Sequence, residues 1–383
     1  MSRVIRKIAC AVSGGVDSTV AAYLLKQRGY EVTGIFMKNW DAREDDADCS
    51  LDADLEDAEY ACRKLSIPFK VANFVKPYWH HVFSTMLQEY QSGITPNPDI
   101  LCNKKIKFDA FYKHATNNLH ADAIATGHYA RIMRCPNGDV RLLRGIDTEK
   151  DQTFFLSQVQ QAAIQRVLFP VGELKKVEVK KIASLIGLEK IARKRESTGI
   201  CFVGKRDFQT FIDKYIEPQH GTFVDIDTGE VVGYHSGIHC WTLGQRCNIG
   251  GKKFPYFVAR VCSGTQTIHV AAGTNHPALF CSTFSTSAPH WICDHPVKPG
   301  GSFTCLFKSQ HPDDVAPCTV VQECDLTLHV SLRVPRRAIT PGQFAVFYSD
   351  EVCLGSAKIT SLGPSLQEEI SVAKKNHINT SGN

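Results

Sequence analysis

Apolar residues in the first third of the chain form short continuous runs that alternate with stretches of helical spacing. A continuous apolar run bounded by turn residues is typical of a strand that is buried on both faces. The runs that predict strands are Lys7–Val12, Glu31–Phe36, Phe69–Asn73 and Ala123–Ala125. The spacing between them predicts helices over Thr19–Arg28, up to about Leu65 and over Pro77–Gln91. This alternation predicts an α/β fold, a doubly wound parallel sheet that binds ligands at the carboxyl ends of its strands.

The pattern changes beyond about Glu217, after a stretch of helical spacing and basic residues over Lys175–Arg195. Short alternating runs rich in Gly, Thr and Val replace the helices, and such runs predict strands. We therefore expect three domains. Residues 1–216 form the α/β domain, 217–273 a small central β-rich domain, and 274–383 a C-terminal β-barrel whose polar end after Gly363 frays.

Composition agrees with an enzyme-sized globular protein. Of 383 residues, 43% are hydrophobic and 22% charged, and no apolar run approaches the roughly 18 residues that a membrane span needs. The net charge of +5 hides an asymmetry, because ten acidic residues and one arginine lie between Asp41 and Glu59, which leaves +14 for the rest. That excess suits a polyanionic partner such as RNA. Charge alone, however, does not distinguish an RNA-binding protein from a basic protein without such a partner.

Fifteen cysteines are scattered along the chain without a CxxC pair. In a chain of this length, this distribution indicates a reducing compartment and cysteines that mostly serve as small core residues. The absence of a Cys/His ligand spacing also argues against a structural zinc site.

The segment Ser13-Gly14-Gly15-Val16-Asp17-Ser18 joins the first predicted strand to the first helix. At such a junction, backbone amides, a helix N-terminus and two hydroxyls can converge on a phosphate group. The alternative is an ordinary strand-to-helix turn, which this specific pattern disfavours. The segment resembles the signature of the PP-loop ATP pyrophosphatases, which release pyrophosphate by adenylating a substrate oxygen. The resemblance implies that Met37, at the end of the second strand, lies beside adenine; the alternative is that Met37 fills the core.

A second segment, Thr95–Asn103, places Asp99 and Cys102 three residues apart in a loop stiffened by two prolines. Lysines follow at positions 104, 105 and 107, so we expect the loop to present Cys102 at the start of a basic helix. A helix N-terminus and nearby cations both lower a thiol pKa, which makes Cys102 a candidate nucleophile. The alternative is a cysteine buried for packing.

Cys201 is the second candidate thiol, and it follows the basic run Arg193–Arg195. Taken alone, it would be an apolar strand cysteine in most proteins. Two thiols that meet in space can pass on a sulfur atom and finish as a disulfide. Together, Cys102 and Cys201 therefore predict sulfur chemistry.

These segments resemble the tRNA-specific 2-thiouridylases over nearly the whole chain. The other segments that carry the resemblance are Thr126–Tyr129, Lys150–Gln158, Phe169–Gly172, Thr242–Arg246 and Gly342–Tyr348. Lys150–Gln158 and Gly342–Tyr348 are most similar to eukaryotic, mitochondrial members, which implies a mitochondrial location. The resemblance implies a PP-loop domain of the adenine nucleotide alpha hydrolase type, then a small β-rich domain and a β-barrel.

The resemblance also implies roles for individual residues. ATP contacts fall on Val12, Ser13, Gly14, Gly15, Val16, Asp17, Ser18, Met37 and Gly127. Target-base contacts fall on Asn97, Pro98 and Asp99, and tRNA contacts on Lys150, Asp151, Gln152, Gln310 and His311. Asp99 is the implied general acid or base, Cys201 the persulfide carrier and Cys102 the nucleophile that attacks it. Gln310 and His311 stand where bacterial relatives have an arginine and an aromatic residue, so phosphate contact there is expected to differ.

The implied reaction uses ATP, with Mg²⁺ shielding its phosphates, to adenylate O2 of the wobble uridine before sulfur replaces that oxygen. The implied partners are the tRNAs for lysine, glutamate and glutamine and a persulfide donor linked to a cysteine desulfurase. We expect a monomer without a membrane partner and predict no metal ligand from the protein.

Two other functions account for part of the sequence. A PP-loop ligase or amidotransferase acting on a small molecule explains Ser13–Ser18 but gives Cys102, Cys201 and the basic surface no role. A non-catalytic RNA-binding module on a decayed nucleotide fold is disfavoured because Asp17, Asp99 and both thiols are intact.

Overall fold

The computed structural model describes residues 5–41, 50–195, 207–293 and 295–380. Cys201, one of the two predicted working thiols, lies outside these residues.

Within the described residues, the N-terminal domain has seven strands, five of which form a parallel sheet. The strands are β1 (Lys7–Ala11), β2 (Glu31–Lys38), β3 (Phe69–Asn73), β4 (Ala123–Ala125), β5 (Ala130–Arg134), β6 (Val140–Arg144) and β7 (Val167–Leu168). The sheet order is β3-β2-β1-β4-β7. Cys10 of β1 pairs with Gly34 of β2 and with Ala125 of β4, so the carboxyl ends of the central strands share one edge.

Alternate residues of β1 enter two separate hydrophobic cores. Ala9 and Ala11 belong to one core, and Ile8 and Cys10 belong to the other. A strand covered on both faces needs apolar residues at successive positions, which explains its continuous apolar run. The predicted doubly wound parallel sheet is therefore confirmed.

The helices follow the predicted spacing with shifted ends. They span Val16–Gln27, Ser50–Lys64, Val75–Tyr78, Ser84–Gln91, Pro98–Cys102, Phe111–Asn118, Thr153–Leu156, Gln161–Ile164, Lys176–Leu185, Glu189–Ala192 and Phe208–Ile212, with π-helical turns at Trp79–Phe83 and Asn103–Ala110. The first helix begins at Val16 rather than Thr19, because Gly15 is its N-cap. The predicted stretch over Lys175–Arg195 is divided near Gly187, whose φ of +77° suits a residue without a Cβ.

β5 and β6 form an antiparallel hairpin that the sequence pattern did not predict. β6 also pairs with a strand of the C-terminal domain, where Leu143 lies opposite Val352 and Leu142 opposite Cys353. The N-terminal domain thus continues into the sheet of the C-terminal domain through backbone hydrogen bonds.

The central domain is a five-stranded sheet with the order β10-β11-β12-β8-β9. Its strands are β8 (Gly221–Asp225), β9 (Val231–His235), β10 (Arg246–Cys247), β11 (Tyr256–Cys262) and β12 (Thr267–Ala272). The 3₁₀ turn Ile238–Cys240 follows β9 and packs on the helix Ser84–Gln91 of the first domain.

The C-terminal domain is a closed barrel, as predicted. Its strands are β13 (Phe280–Thr286), β14 (His290–Trp291), β15 (Ser302–Lys308), β16 (Ala316–Gln322), β17 (Leu328–Arg337), β18 (Phe344–Ser349) and β19 (Val352–Leu362). β13 pairs with both β17 and β19, which closes the sheet. The polar end, where the sequence predicted fraying, forms a helix over Leu366–Thr380. In the described parts of the chain, none of the helices is long and apolar enough to cross a membrane.

Candidate active site

The Ser13–Ser18 segment forms a tight loop whose shape depends on two glycines and one hydroxyl. Gly14 has a φ of +73°, and a Cβ there would lie 2.3 Å from the backbone oxygen of Asp54. The Ser18 hydroxyl accepts a hydrogen bond from the Ser13 amide at 3.1 Å and donates one to the Gly15 carbonyl at 3.1 Å. The helix Val16–Gln27 begins inside the loop, so amides without an intrahelical acceptor lie there. This geometry suits a phosphate group.

The other predicted ATP contacts lie at the same edge of the sheet. Val12 is buried, and its amide donates to the Ile35 carbonyl of β2 at 2.9 Å. Met37 lies two residues after Ile35, near the end of β2, and is partly exposed and partly packed on the core. Gly127 follows β4, and a Cβ there would lie 2.5 Å from the Ser18 amide nitrogen. The structure therefore brings these predicted residues together.

Asp17 is held by two side chains that the sequence analysis did not single out. The Lys176 ammonium donates to both carboxylate oxygens, at 2.8 and 2.7 Å, and the Tyr129 hydroxyl donates to Oδ1 at 2.8 Å. Lys176 is buried at the start of its helix, and its ammonium also lies 5.7 Å from the Tyr129 ring centroid. In the sequence, Lys176 lies in a lysine-rich stretch that is typical of a solvated helix face. The sequence therefore gave no signal that Lys176 pairs with Asp17.

A second lysine connects the loop to the acidic helix Ser50–Lys64. The Lys194 ammonium lies 2.7 Å from Asp54 Oδ1, 2.6 Å from Asp57 Oδ2 and 3.5 Å from the Gly14 carbonyl oxygen. Burial opposes ionisation of Asp57, but hydrogen bonds from Lys190 and Lys194 hold its pKa below the ordinary value. Part of the acidic charge seen in the sequence is thus paired internally and supports the loop.

Asp99 and Cys102 lie on one face of the helix Pro98–Cys102, which is part of the Thr95–Asn103 segment. Asn97 is the N-cap and accepts a hydrogen bond from the Ile100 amide at 3.1 Å, and buried Pro98 occupies the first turn. Asp99 lies in that first turn, whereas Cys102 lies one turn further on and is 6% exposed. Asp99 therefore lies at the helix start, as expected, whereas Cys102 lies one turn later, directly before the lysine-rich π-helical turn Asn103–Ala110.

The loop before this helix is fixed by both other domains. The Gln343 side chain of the barrel donates to the carbonyls of Thr95 and Pro96, at 3.0 and 2.8 Å, and accepts from the side-chain Nδ2 of Asn97 at 3.0 Å. The Thr95 hydroxyl lies 3.2 Å from the Thr242 hydroxyl of the central domain. Sequence analysis placed Gln343 in the segment Gly342–Tyr348 without giving it a role.

Burial raises the pKa of Asp99, and the positive charges of Lys107 and His311 partly oppose the rise. His311 comes from the C-terminal domain and stacks on Phe155, with ring centroids 4.8 Å apart. Its Nε2 lies 2.8 Å from the Asp151 carbonyl oxygen. His311 thus belongs to the surroundings of Asp99 as well as to the surface predicted to contact tRNA.

Lys107 links the surroundings of Asp99 to the nucleotide edge. Burial, together with the charge of Lys107, keeps the pKa of His128 well below its ordinary value. The His128 ring lies 5.7 Å from the Phe108 ring, and His128 directly follows Gly127. The π-helical turn that follows Cys102 therefore packs beside the segment of Gly127, where an ATP contact is predicted.

The residues predicted to contact tRNA differ in how far their side chains are already engaged in hydrogen bonds within the protein. Asp151 is 2% exposed, and its carboxylate accepts hydrogen bonds from Arg144, Gly145 and Thr153. The Gln152 side chain accepts from the Tyr129 amide at 3.0 Å, and the Gln310 side chain donates to the Ala338 carbonyl at 3.4 Å. Lys150 is partly exposed. The RNA contacts stay predictions, and the Asp151 carboxylate has a structural role.

Family profiles and curated relatives match most of the chain. A family profile described as a tRNA methyl transferase HUP domain matches residues 6–205, a PRC-barrel domain of the same family matches 209–272, and an aminomethyltransferase β-barrel domain matches 281–359. The chain is 50% identical over 370 residues to mitochondrial tRNA-specific 2-thiouridylase 1 of Drosophila melanogaster, covering 94% of this chain and 95% of that protein. It is 46% identical to the protein of the same name from Homo sapiens, covering 94% and 92%. It is 44% identical to tRNA-specific 2-thiouridylase MnmA of Proteus mirabilis, covering 92% and 97%. The chain belongs to the tRNA-specific 2-thiouridylase family.

Proposed function

We propose that this protein is an ATP-dependent sulfurtransferase that converts the wobble uridine of tRNA to 2-thiouridine. The observation that carries the proposal is that the π-helical turn after Cys102 packs beside the Gly127 segment, with the Phe108 ring 5.7 Å from the His128 ring. This packing joins the loop with the candidate nucleophile to the edge that suits ATP phosphates. Because the Drosophila and human relatives are named mitochondrial, we assign this protein to the mitochondrion.

The first step is adenylation of the uracil O2. The amides of the Ser13–Ser18 loop and the start of its helix bind the phosphates. The uracil oxygen attacks the α-phosphorus and pyrophosphate leaves, which turns an inert carbonyl oxygen into part of a good leaving group. Lys176 is buried beside the loop and is placed to neutralise charge that builds up on the departing pyrophosphate.

The loop fits Mg²⁺ that arrives with the nucleotide. Both Asp17 oxygens already accept hydrogen bonds, from Lys176 and from Tyr129. Phosphate oxygens would therefore be the main ligands of Mg²⁺, consistent with the way this ion usually binds beside phosphates. The ion would reduce the negative charge that the attacking oxygen approaches.

The second step exchanges oxygen for sulfur. Cys201 receives a sulfur atom as a persulfide from a donor linked to a cysteine desulfurase. The Cys102 thiolate attacks the Cys201 Sγ, so that a disulfide forms and hydrosulfide leaves. Hydrosulfide attacks C2 and AMP departs with the former O2. An external dithiol then reduces the disulfide.

Asp99 exchanges protons in this second step. Its raised pKa keeps part of the carboxyl population protonated closer to neutral pH than is usual for an aspartate. General acid–base catalysis is most effective when the pKa lies near the working pH. Its position three residues before Cys102, on the same helical face, suits proton transfer at the reacting sulfur.

The RNA is recognised through its phosphates and through a base that leaves its stack. The excess of positive charge outside the acidic segment suits the backbone, and the exposed Lys105 lies close to the helix of Cys102. A wobble base buried in an anticodon stack cannot reach Asp99, so it must turn outwards into the site. We assign the tRNAs for lysine, glutamate and glutamine as substrates, with the protein acting as a monomer.

The test is to measure AMP, pyrophosphate and 2-thiouridine together. With ATP, a persulfide donor and unmodified tRNA, we expect one AMP for each 2-thiouridine found by mass spectrometry of the wobble nucleoside. Without tRNA, AMP formation should fall to background. AMP formation that needs only a small-molecule acceptor would instead identify a ligase, and sulfur-free tRNA after full incubation would refute the proposal.

A further inference from the structure

Outside the candidate active site, three side chains of different ligand type meet beside the central domain. Asp213 directly follows the helix Phe208–Ile212, and His239 and Cys240 lie in the 3₁₀ turn Ile238–Cys240. One carboxylate oxygen, one imidazole nitrogen and one sulfur atom all lie within 4.8 Å of one another.

The measured distances are close to those in a tetrahedral metal site. His239 Nε2 lies 2.9 Å from Asp213 Oδ1, and Cys240 Sγ lies 4.0 Å from the same oxygen. Bonds of about 2.0–2.3 Å from Zn²⁺ to N, O and S ligands place ligand atoms about 3.5 Å apart. The His239 nitrogen and the Cys240 sulfur lie within 4.8 Å of each other, so an ion between the three atoms would require shifts of about 1 Å.

The His239 ring is held in a fixed position. It is buried, and a Cβ at Gly237 would lie 2.3 Å from its Cε1 and 2.5 Å from its Nδ1. The ring therefore packs directly against the backbone of Gly237, and its Nε2 points to Asp213. Pre-positioned ligands favour binding because less conformational freedom is lost when the ion enters.

The composition of the cluster favours a transition metal over other roles. Ca²⁺ and Mg²⁺ prefer oxygen ligands throughout, whereas Zn²⁺ binds sulfur, nitrogen and oxygen together. Three protein ligands leave the fourth tetrahedral position for water.

We propose that Asp213, His239 and Cys240 form a Zn²⁺ site that joins the central domain to the end of the catalytic domain. The ion replaces the thiol proton of Cys240, which is released to solvent. Ile238 of the same turn lies next to Gly93, two residues before Thr95, so the site also supports the segment that leads to the Asp99 loop. The sequence analysis argued against a structural zinc site because it found no Cys/His ligand spacing. Asp213, which is a carboxylate 26 residues before His239, falls outside such a pattern.

Co²⁺ is the probe, because a cobalt–thiolate bond gives a charge-transfer absorption that other ligands do not give. The full-length chain carries Cys102→Ser and Cys201→Ser, so that the predicted working thiols cannot contribute. After removal of metal with a chelator, titration with Co²⁺ should give the thiolate band with one equivalent bound, and Zn²⁺ should displace it. Absence of the band, or a band that survives Cys240→Ser, would overturn the proposal.

Matched variants separate the site from ordinary surface binding. Cys240→Ser should abolish the band, and Asp213→Asn or His239→Gln should weaken Co²⁺ binding at least tenfold. Cys262→Ser, a half-buried thiol in the same domain, should leave the band unchanged. His276→Gln should also leave it unchanged, although His276 pairs with Asp227 at 3.0 Å much as His239 pairs with Asp213.

Thermal unfolding shows whether a variant loses the cobalt band because it lacks the site or because it is misfolded. In chelator, Cys240→Ser should unfold at the same temperature as the parent, whereas added Zn²⁺ should raise the midpoint of the parent by a few degrees and leave the variant unchanged. An equal rise in both proteins would refute the site. Neither measurement depends on ATP or tRNA, so failure here is distinct from failure of the proposed enzymatic function.

Discussion

The Ser13–Ser18 segment, or nucleotide loop, and the Thr95–Cys102 segment, or thiol loop, are built in different ways, although they lie in the same part of the N-terminal domain. The nucleotide loop is shaped by its own backbone at Gly14, by the close approach of Gly127, and by lysines from the same domain. The Thr95–Cys102 segment depends on Gln343 of the barrel and Thr242 of the central domain. ATP binding should therefore tolerate changes in the other two domains, whereas presentation of the target base and sulfur transfer should not.

Replacing a working thiol should give the largest effect and should separate the two loops completely. In Cys102→Ser, 2-thiouridine formation should stop while ATP still binds, because serine cannot attack the persulfide. Persulfide should then accumulate on Cys201. In Cys201→Ser no productive persulfide should form, although adenylation of the base can still occur.

Alkylation of trapped persulfide followed by peptide mass spectrometry locates the sulfur in each variant. Cys135→Ser, a partly exposed thiol in the β5–β6 turn, is the matched control and should retain full activity. Productive persulfide on Cys102 with Cys201 dispensable would reverse the two assignments.

Lys176→Met should damage the nucleotide side instead. It removes the cation that contacts both Asp17 oxygens and that we propose to lie beside the ATP phosphates, so adenylation should fall by about 10²- to 10³-fold and ATP should bind more weakly. Lys176→Arg should restore part of the rate because it restores the charge. Affinity for tRNA, measured by filter binding, should be unchanged.

Lys181→Met on the same helix removes an exposed lysine and is the control, with an expected rate equal to that of the parent. Equal losses in both lysine variants would mean that the helix as a whole, rather than Lys176, supports the reaction.

Gln343→Ala tests the dependence of the thiol loop on the barrel. It removes three hydrogen bonds to the loop, each contributing about 1 kcal/mol. We expect thiolation to fall about tenfold with an unchanged dissociation constant for ATP, since the loop loses its position but remains intact. Gln367→Ala, which removes an exposed hydrogen bond to Asp227, should leave both quantities unchanged. A weaker ATP affinity in Gln343→Ala would remove the distinction between the loops.

This distinction also explains what sequence could predict. The parallel sheet follows from the apolar runs, and the nucleotide loop follows from a contiguous pattern of glycines and serines. The pairing of Lys176 with Asp17, the contacts of Gln343 and the approach of His311 to Asp99 join residues far apart in the chain. Such contacts depend on tertiary packing, which carries no local periodicity. The β5–β6 hairpin was missed for the same reason, because its partner β19 lies in another domain.

The smallest effect should appear in the pH dependence of stability. Asp99 in the thiol loop and Asp57 beside the nucleotide loop have pKa values that are shifted in opposite directions. The pKa of Asp99 is raised from 3.8, so its contribution to stability is present below that value and is lost as pH rises through the folded-state pKa. The pKa of Asp57 is lowered from 3.8, so its contribution is present above that value and is lost as pH falls through the folded-state pKa. Relative to the parent, Asp99→Asn should therefore become more stable as the pH rises above about 4, whereas Asp57→Asn should be less stable above about pH 4 and should lose that difference as the pH falls below it. Each unit of pKa shift corresponds to about 1.4 kcal/mol, which urea unfolding midpoints at several pH values can resolve. Changes of the same sign in the two variants would show that Asp99 is not held in a desolvated position beside Cys102.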